Sequence, residues 1–296
     1  MINRYKYQDV IFRENSLSQN LRIENGNSIL KIFRLISGTI NCEDEYKNVV
    51  YKFRNNYTTF PYIENNKLSG ATVLDNFPPE LKIKDLDEYF KTARDNKKFY
   101  DSIEVELLKC LIAEADKRYL ESFFYLYRII EGISYSIPLI YVSKNKDYNK
   151  TYSELQAFFG KDKDGELAFF KRFISETFYK EDFYKTNLLI NLHLIEVEEI
   201  RPIYYQTYLE KLNNKTASQP LENESIEVKF IVYYDFLIEL RNRFFHNSKG
   251  SWKSNLESTN LLFPDLFFKP LIRHGINWIS IILFEIIKND LDKVNK

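Results

Sequence analysis

Apolar and polar residues follow two different patterns along the chain, and the change falls near residue 80. Before it, short apolar runs rich in β-branched and aromatic residues lie between Asn-Gly and Ser-Gly pairs, which is typical of strands and turns. The runs at 28–36 and 49–53 are predicted to be strands. The sequence therefore predicts a small β-rich region over residues 1–80 and a separate helical domain over residues 81–296.

Apolar positions after residue 80 recur at helical spacing. The longest amphipathic stretch covers 119–140, and we expect Pro138 to stop or bend it because proline lacks a backbone N–H. Further helices are predicted at 164–180, 184–212, 226–247 and 266–290. The predicted fold class is α+β, in which a C-terminal helical bundle follows the β-rich region.

Two capping patterns indicate where helices begin. Thr151 followed by Glu154 has the spacing of a capping box, in which a hydroxyl and a carboxylate satisfy the first backbone N–H groups of a helix. Asp101 followed by Glu104 is a looser version, with an aspartate in place of Ser or Thr. We therefore expect a helix to start at each of these pairs.

Composition limits the class and the location of the protein. A hydrophobic content of 44% excludes a disordered chain, and only two cysteines, Cys42 and Cys110, exclude a disulfide scaffold and fit a reducing cytosol. Residues 1–10 lack the apolar segment of a signal peptide. The most apolar run, 276–287, contains Glu285 and is too short to span a bilayer. We expect a soluble cytoplasmic protein without a membrane partner.

The net charge and the sequence motifs limit the kinds of binding site and reaction that the chain can support. With 42 basic and 42 acidic residues the formal net charge is zero, which excludes a basic nucleic-acid coat and predicts a local site. The chain has no Gly-rich phosphate loop, no Gly-x-Ser-x-Gly elbow and no His-Glu-x-x-His zinc motif, so we expect neither a cofactor nor a metal. Acid–base chemistry at neutral pH would most simply use His193, His246 or His274.

The segment 230–246 combines an apolar and a polar stripe at helical spacing. The apolar stripe consists of Phe230, Tyr233, Leu237, Leu240 and Phe244. The polar stripe consists of Asp235, Glu239, Asn242 and His246. Arg241 lies on an otherwise apolar flank, where an unpaired charge is costly. Its partner is therefore expected to be a carboxylate of a neighbouring helix or an anion such as phosphate.

The end of this segment forms an Arg-x4-His motif, Arg241-Asn242-Arg243-Phe244-Phe245-His246. Here the chain resembles the HEPN family of helical bundles, many of which are metal-independent ribonucleases. Their signature is an Arg and a His separated by four to six residues, with a polar residue, often Asn, directly after the Arg. The aromatic stretch 123–132 also looks like the earlier long helix of anti-phage members. The resemblance covers about residues 84–290 and implies nothing for residues 1–80.

The resemblance implies a role for each residue of the motif. His246 would transfer protons, Arg241 would bind the phosphate as a fork, and Asn242 would orient the imidazole or the RNA. Arg241 and His246 are five residues apart, about 140° around a helix, so one helix does not present both squarely to one phosphate. Ribonucleases of the family dimerise with both motifs in one cleft, so the resemblance implies a homodimer here, with 2′,3′-cyclic phosphate and 5′-hydroxyl products.

Three further residues are candidates for supporting roles. Arg243 either contacts RNA or faces solvent. Arg128 and Glu131 lie three residues apart on the predicted 119–140 helix, where they form either a structural ion pair or an exposed face. In the functional alternative, Glu131 supports the Arg241 site. His274 is expected to be structural, and His193 is expected to lie in the core or at its rim.

The function predicted from the resemblance is a toxic endoribonuclease of a bacterial anti-phage or toxin–antitoxin system. Residues 1–80 would then sense a trigger, restrain the nuclease or bind a partner, such as an antitoxin or another defence protein. One alternative is a catalytically silent helical module for dimerisation or regulation. Another is a module that binds nucleotides without cleaving RNA.

Overall fold

The computed structural model describes residues 4–9, 22–23, 27–64, 77, 81–92, 95–159, 165–245, 255–256 and 261–294. The strands in these ranges are β1 (Tyr5–Asp9), β2 (Ile40–Asp44), β3 (Val49–Phe53), β4 (Asn187–Asn191) and β5 (Ser225–Lys229). The helices are α1 (Ser28–Ile36), α2 (Ile83–Thr92), α3 (Lys97–Ala115), α4 (Tyr119–Ser143), α5 (Tyr148–Phe158), α6 (Glu166–Phe178), α7 (Asp182–Lys185), α8 (Arg201–Leu212), α9 (Phe230–Phe245) and α10 (Pro264–Val294).

The described chain is a mixed helix and sheet fold in which helices predominate. The two small sheets are antiparallel, one with the order β1-β2-β3 and one formed by β4 and β5. The α+β prediction is confirmed at this coarse level, and the strand predicted at 49–53 is β3. The helices predicted at 164–180 and 266–290 correspond to α6 and α10.

The strand predicted at 28–36 is wrong, because this segment forms α1. The side chain of Asn27 accepts a hydrogen bond from the Leu30 N–H at 3.0 Å and so caps the start of the helix. Its polar residues Ser28, Lys31 and Arg34 recur every three positions, which is a helical spacing. The capping residue and this spacing were therefore the informative signals, and the β-branched content was misleading.

Both capping-box predictions are wrong. Asp147 caps α5, where its carboxylate accepts hydrogen bonds from the backbone N–H groups of the second and third residues that follow it. Thr151 lies inside that helix and donates its hydroxyl to the Asp147 carbonyl at 3.0 Å. Asp101 and Glu104 lie inside α3, where both carboxylates accept hydrogen bonds from the Ser28 hydroxyl.

The helices predicted at 184–212 and 226–247 each contain a strand at the start. In the first, β4 precedes α8, and in the second, β5 runs directly into α9. The two strands pair with Leu188 opposite Val228 and Ile190 opposite Ile226, and all four of these side chains are buried. Buried and more exposed residues alternate along each strand, which is the period of a sheet.

Helices α4 and α10 pack against each other at the centre of the core. At Gly275 of α10 a Cβ atom would collide with the side chain of Leu126 of α4, so glycine permits this close approach. Of the two effects predicted for Pro138, the stop is wrong, because α4 continues to Ser143, and the bend stays a prediction. The missing N–H of a proline removes one helical hydrogen bond, and burial of the surrounding residues compensates.

The N-terminal elements pack onto the same hydrophobic core as the helices. The Phe33 ring of α1 stacks on Phe284 of α10 at 6.4 Å between centroids. Asn277 of α10 donates hydrogen bonds to the carbonyls of Tyr57 at 2.9 Å and Thr59 at 2.7 Å. The predicted boundary near residue 80 stays a prediction, since residues 78–80 lie outside the described ranges.

Among the described residues, α10 is the one helix that is long and apolar enough to cross a membrane. Within its most apolar 18-residue window, 83% is buried inside the protein. The Trp278 ring of this helix stacks on Phe230 and Tyr234, each at 5.1 Å. Its apolar character is therefore that of the core helix of a soluble protein.

Replacing Gly38 with Ala is expected to lower the free energy of unfolding by about 3 kcal/mol. Gly38 has a φ of +68°, and a Cβ atom there would lie 2.5 Å from the Asn55 carbonyl oxygen. Chemical denaturation measures the change, and Gly165→Ala is the control because a Cβ at Gly165 meets nothing within 4 Å. Equal stability of the two variants would contradict the prediction.

Candidate functional site

The last turn of α9 carries three of the predicted site residues, Arg241, Asn242 and Arg243. His246 lies outside the described residues, as do residues 247–250. The structure therefore places the arginine and the asparagine of the Arg-x4-His motif, and the site is built from these two.

Arg241 is held by groups from two helices. Its Nη2 lies 3.1 Å from Oε1 of Glu131 on α4, and its Nη1 lies 3.2 Å from Oδ1 of Asn242. The guanidinium also lies over the Tyr127 ring, 4.6 Å from the centroid. Its side chain is 20% exposed, so part of the planar group faces solvent. Of the two partners that the sequence predicted for Arg241, the carboxylate is present and comes from Glu131.

This arrangement fixes the orientation of a cation that is always charged. The Glu131 carboxylate offsets the cost of partly burying the guanidinium, and the Tyr127 face restrains its plane. Burial raises the pKa of Tyr127 to about 12, although the charge of Arg241 acts to lower it. Tyr127 is therefore neutral at physiological pH and acts as a flat support rather than as a proton donor.

Arg128 and Arg243 lie close to the site but have other carboxylate partners. Arg128 pairs with Glu106 at 2.8 Å and not with Glu131. Of the two structural roles predicted for Arg128 and Glu131, the structure therefore shows the exposed face and not the ion pair. Arg243 pairs with Glu239 at 2.9 Å, and its side chain is only 12% exposed. Arg243 therefore does not simply face solvent, which was one of its two predicted roles.

A cleft of about 350 Å³ lies beside this site, between α6, the end of α8 and one face of α9. Asp235 and Glu239, two members of the polar stripe, line it. Three lysines that the sequence did not single out also line it, Lys171, Lys211 and Lys215. Their positions in the sequence have no regular spacing, and only the polar stripe of α9 indicated that this face was unusual.

An exposed aromatic face lies next to Arg241. It consists of the exposed rings of Phe124 on α4 and Phe245 on α9, the second of which is one helical turn after Arg241. The rings of Phe124 and Phe245 are 6.3 Å apart between centroids, so the two helices present one surface. Exposed apolar patches of this kind are typical of interaction surfaces.

The other two histidines are poor candidates for proton transfer at this site. His193 was predicted to lie in the core or at its rim, and it is exposed on a short turn after β4, so the core position is wrong. His274 lies on α10 with its Nδ1 buried and without a hydrogen bond to any described residue. Burial lowers the pKa of His274 to about 4, so its ring is neutral at physiological pH.

Stability is expected to fall as the pH drops from about 6.5 to about 4 because of His274. The folded state favours the neutral ring of His274. Its contribution to the free energy of unfolding is therefore complete above the pKa of the unfolded state, about 6.5, and is lost as the unfolded chain binds protons below that pH. The loss should reach about 2 to 3 kcal/mol. Denaturant titrations of wild type and His274→Gln across this range measure it. A pH profile that the substitution leaves unchanged would contradict the prediction.

Neither cysteine is suited to nucleophilic catalysis. Cys42 and Cys110 are both free and buried. Burial raises the pKa of each thiol to about 12, so the thiolate is scarce at physiological pH. In the part of the chain that the structure describes, no group of three or more His, Cys, Asp or Glu residues could hold a metal ion.

Comparisons of this chain with protein-family models, with curated proteins and with solved structures found no match. The resemblance to the HEPN family therefore rests on the residues of the chain itself.

Proposed function

We propose that the chain is a metal-independent endoribonuclease of the HEPN type, with a composite active site at a homodimer interface. The observation that carries the proposal is the setting of Arg241, whose partly exposed guanidinium is held by Glu131, Asn242 and Tyr127 at the end of α9. This arginine lies five residues before His246 in the sequence.

A positioned arginine is suited to phosphate chemistry. The guanidinium fork matches the geometry of phosphate oxygens and stays charged at every physiological pH. Because Glu131 and Tyr127 already orient Arg241, little reorganisation is needed when charge develops on a phosphate. Glu131 is 45% exposed, so it can turn toward solvent when a phosphate takes its place.

The reaction is a transfer of the phosphodiester from the 5′-oxygen to the neighbouring 2′-oxygen. A base removes the proton of the 2′-hydroxyl, the bond from the 2′-oxygen to phosphorus forms, and the bond to the 5′-oxygen breaks as an acid protonates it. Two copies of His246, one from each protomer, supply the base and the acid. Arg241 stabilises the negative charge on the phosphate oxygens, and Asn242 orients the imidazole or the RNA.

The exposed aromatic face supports the dimer. A two-fold axis through this face would cover its apolar side chains and place the two copies of Arg241 close to each other, because the surface adjoins Arg241. Both motifs would then line one cleft. A single helix does not present Arg241 and His246 squarely to one phosphate. In the dimer, Arg241 of one protomer and His246 of its partner could contact the same phosphate.

A second candidate function is a catalytically silent dimerisation or regulatory module. The pairing of Arg241 with Glu131 favours it, because an ion pair of this kind also occurs where an arginine only stabilises a helix contact. A silent module would use the exposed aromatic face for assembly and would leave RNA intact. The two functions therefore differ in one measurable property, the cleavage of RNA.

The proposed biological role is that of a toxic effector in the cytoplasm of a bacterium, in an anti-phage or toxin–antitoxin system. The N-terminal elements would then sense a trigger or bind an antitoxin or another defence protein. The role predicts that expression of the wild-type chain inhibits growth, either without a trigger or after phage infection.

The experiment that tests the function combines purified protein and RNA from growth-arrested cells. We expect purified wild-type dimer to cleave RNA at the same rate in buffer with magnesium and in buffer with EDTA. A strict metal requirement would contradict the proposed chemistry. Intact RNA both in vitro and in expressing cells, with and without phage, would favour the silent module.

A further inference from the structure

The solvent-facing side of α4 carries four residues whose spacing is the same in both directions along the helix. Phe124, Arg128, Glu131 and Tyr135 are all exposed, and successive members are four, three and four residues apart. At 3.6 residues per turn, the four side chains lie within about 60° of one another on one face of the helix. We call this face the α4 stripe.

Apolar residues extend the α4 stripe by the same step at both ends. Leu120 precedes Phe124 by four residues and is partly buried, and Leu139 follows Tyr135 by four residues and is exposed. With these two residues the stripe is about 29 Å long. It also joins the exposed aromatic face next to Arg241, because Phe124 belongs to both. Exposed apolar surface of this extent is typical of an interface.

The spacing of the α4 stripe is that of a seam between two packed helices. Steps of four and three residues are the repeat along which helices pack in a coiled coil. The opposite side of α4 is already used, since Phe123, Leu126 and Ile130 are buried in the core. A second helix that follows the stripe would therefore come from outside the protomer.

The charges of the α4 stripe select both the partner and its direction. Around a two-fold axis midway between Arg128 and Glu131, two antiparallel copies of α4 place each Phe124 opposite the partner's Tyr135. The same axis places each Arg128 opposite the partner's Glu131. Parallel copies in register would instead place like charges opposite each other, which is unfavourable. A two-fold interface requires this self-complementarity, so the pattern fits a second copy of the same chain.

The contacts that Arg128 and Glu131 make within one protomer are compatible with this interface. Nη2 of Arg128 lies 2.8 Å from Oε1 of Glu106, and Oε1 of Glu131 lies 3.1 Å from Nη2 of Arg241. A guanidinium has five N–H donors and a carboxylate has two oxygens. Since the Arg128 side chain is 51% exposed and that of Glu131 is 45% exposed, each can add a contact across the interface and keep its own.

We propose that α4 packs antiparallel against α4 of a second copy of this chain, so that Arg128 of each protomer pairs with the partner's Glu131. The proposal rests on the proposed function for the role of the Arg241 site. It adds a residue of the partner to that site, because Glu131 is the carboxylate that holds Arg241. When a phosphate takes the place of Glu131 beside Arg241, the carboxylate keeps a cation partner in the partner's Arg128.

The test measures dimer formation with two charge reversals. Arg128→Glu and Glu131→Arg each replace both ion pairs of the interface with like-charge pairs, and analytical ultracentrifugation gives the dimer Kd. We expect each variant alone to raise the dimer Kd by about 100-fold or more. An equimolar mixture of the two should form a heterodimer with a Kd within about tenfold of that of wild type, because opposite charges meet again.

The matched control for the charge reversals is Lys146→Glu, because Lys146 is exposed beyond the end of α4. This variant should leave the dimer Kd unchanged. Circular dichroism verifies that all three variants fold. Formation of a dimer by Arg128→Glu or Glu131→Arg with the Kd of wild type would overturn the proposal.

Cross-linking tests the direction of the helices independently of the charges. Phe124→Cys and Tyr135→Cys are purified separately, mixed and oxidised, and the native Cys42 and Cys110 are buried. Antiparallel packing predicts disulfides between the two different variants in the mixture and little cross-linking of either variant alone. Efficient cross-linking of Phe124→Cys to itself would overturn the antiparallel arrangement.

The outcomes distinguish this proposal from the proposed function. If wild type cleaves RNA as a dimer while Arg128→Glu leaves the dimer Kd unchanged, the α4 interface is wrong and the function stands. If no RNA is cleaved but the charge reversals dimerise only when mixed, the α4 interface stands and the function fails. A wild type that cleaves RNA and stays monomeric at the concentrations of the assay would also overturn the α4 interface.

Discussion

Replacing His246 with Ala is expected to lower the rate of RNA cleavage by about 10²- to 10⁴-fold. In the proposed reaction the imidazoles of the two protomers carry out both proton transfers, and the described residues of the site include no histidine. Tyr127 beside Arg241 has its pKa raised to about 12 by burial, so it does not replace the histidine. Single-turnover cleavage of a defined RNA measures the effect, together with growth inhibition on expression.

The matched control for this variant is His193→Ala. His193 is exposed on the turn after β4, outside α9, so its removal should leave cleavage and stability unchanged. Wild-type cleavage by His246→Ala, at equal dimer content, would show that His246 is not catalytic. Loss of activity in both variants would indicate that the assay responds to general damage rather than to proton transfer.

Replacing Arg241 with Ala is expected to lower kcat by about 10²- to 10³-fold, because the charge on the phosphate oxygens loses its stabilising cation. Arg241→Lys should also lose most of the activity, since an ammonium lacks the planar fork. Glu131→Gln should reduce activity less, because it acts by positioning the guanidinium, and the amide retains one hydrogen-bonding oxygen. Steady-state kinetics with the same RNA separate the effect on kcat from that on KM.

A structural role for Arg241 predicts a different pattern. If Arg241 only holds α9 against α4, Arg241→Ala should lower stability, and activity should return when the assay is run at a lower temperature. The proposed role predicts only a small change in stability, within about 1 kcal/mol, because Glu131 is largely exposed. Arg118→Ala is the control for loss of a surface-paired arginine, since Arg118 pairs with Glu121 and Asp116 far along the chain from α9.

Helical periodicity predicted the long amphipathic segments well. The helices predicted at 164–180 and 266–290 differ from α6 and α10 by a few residues at each end. A stripe of buried residues shows that a segment is helical but does not show at which residue the helix begins or ends. Short segments were less predictable. The run 28–36 was misassigned because its β-branched content was weighed above the helical spacing of Ser28, Lys31 and Arg34. Strand β4 was missed because its partner β5 lies more than 30 residues away.

In the candidate site, too, contacts between residues that are close in the sequence were predictable, and contacts between distant residues were not. The spacing of Arg241 and Asn242 on α9 followed from the sequence alone. The pairing of Arg241 with Glu131 joins residues that are 110 apart in the chain, and the sequence offered it only as one of two roles for Glu131. The cleft beside α9 depends on how α6, α8 and α9 pack, and no local pattern predicts which lysines meet there.

The chemistry of the RNA ends tests the central claim most directly. Purified wild-type protein and His246→Ala are each incubated with a defined RNA in EDTA, and the ends of the products are identified by mass spectrometry. The proposed mechanism predicts 2′,3′-cyclic phosphate and 5′-hydroxyl ends from wild type and uncut RNA from His246→Ala. Products with 3′-hydroxyl and 5′-phosphate ends, or identical products from both proteins, would contradict it.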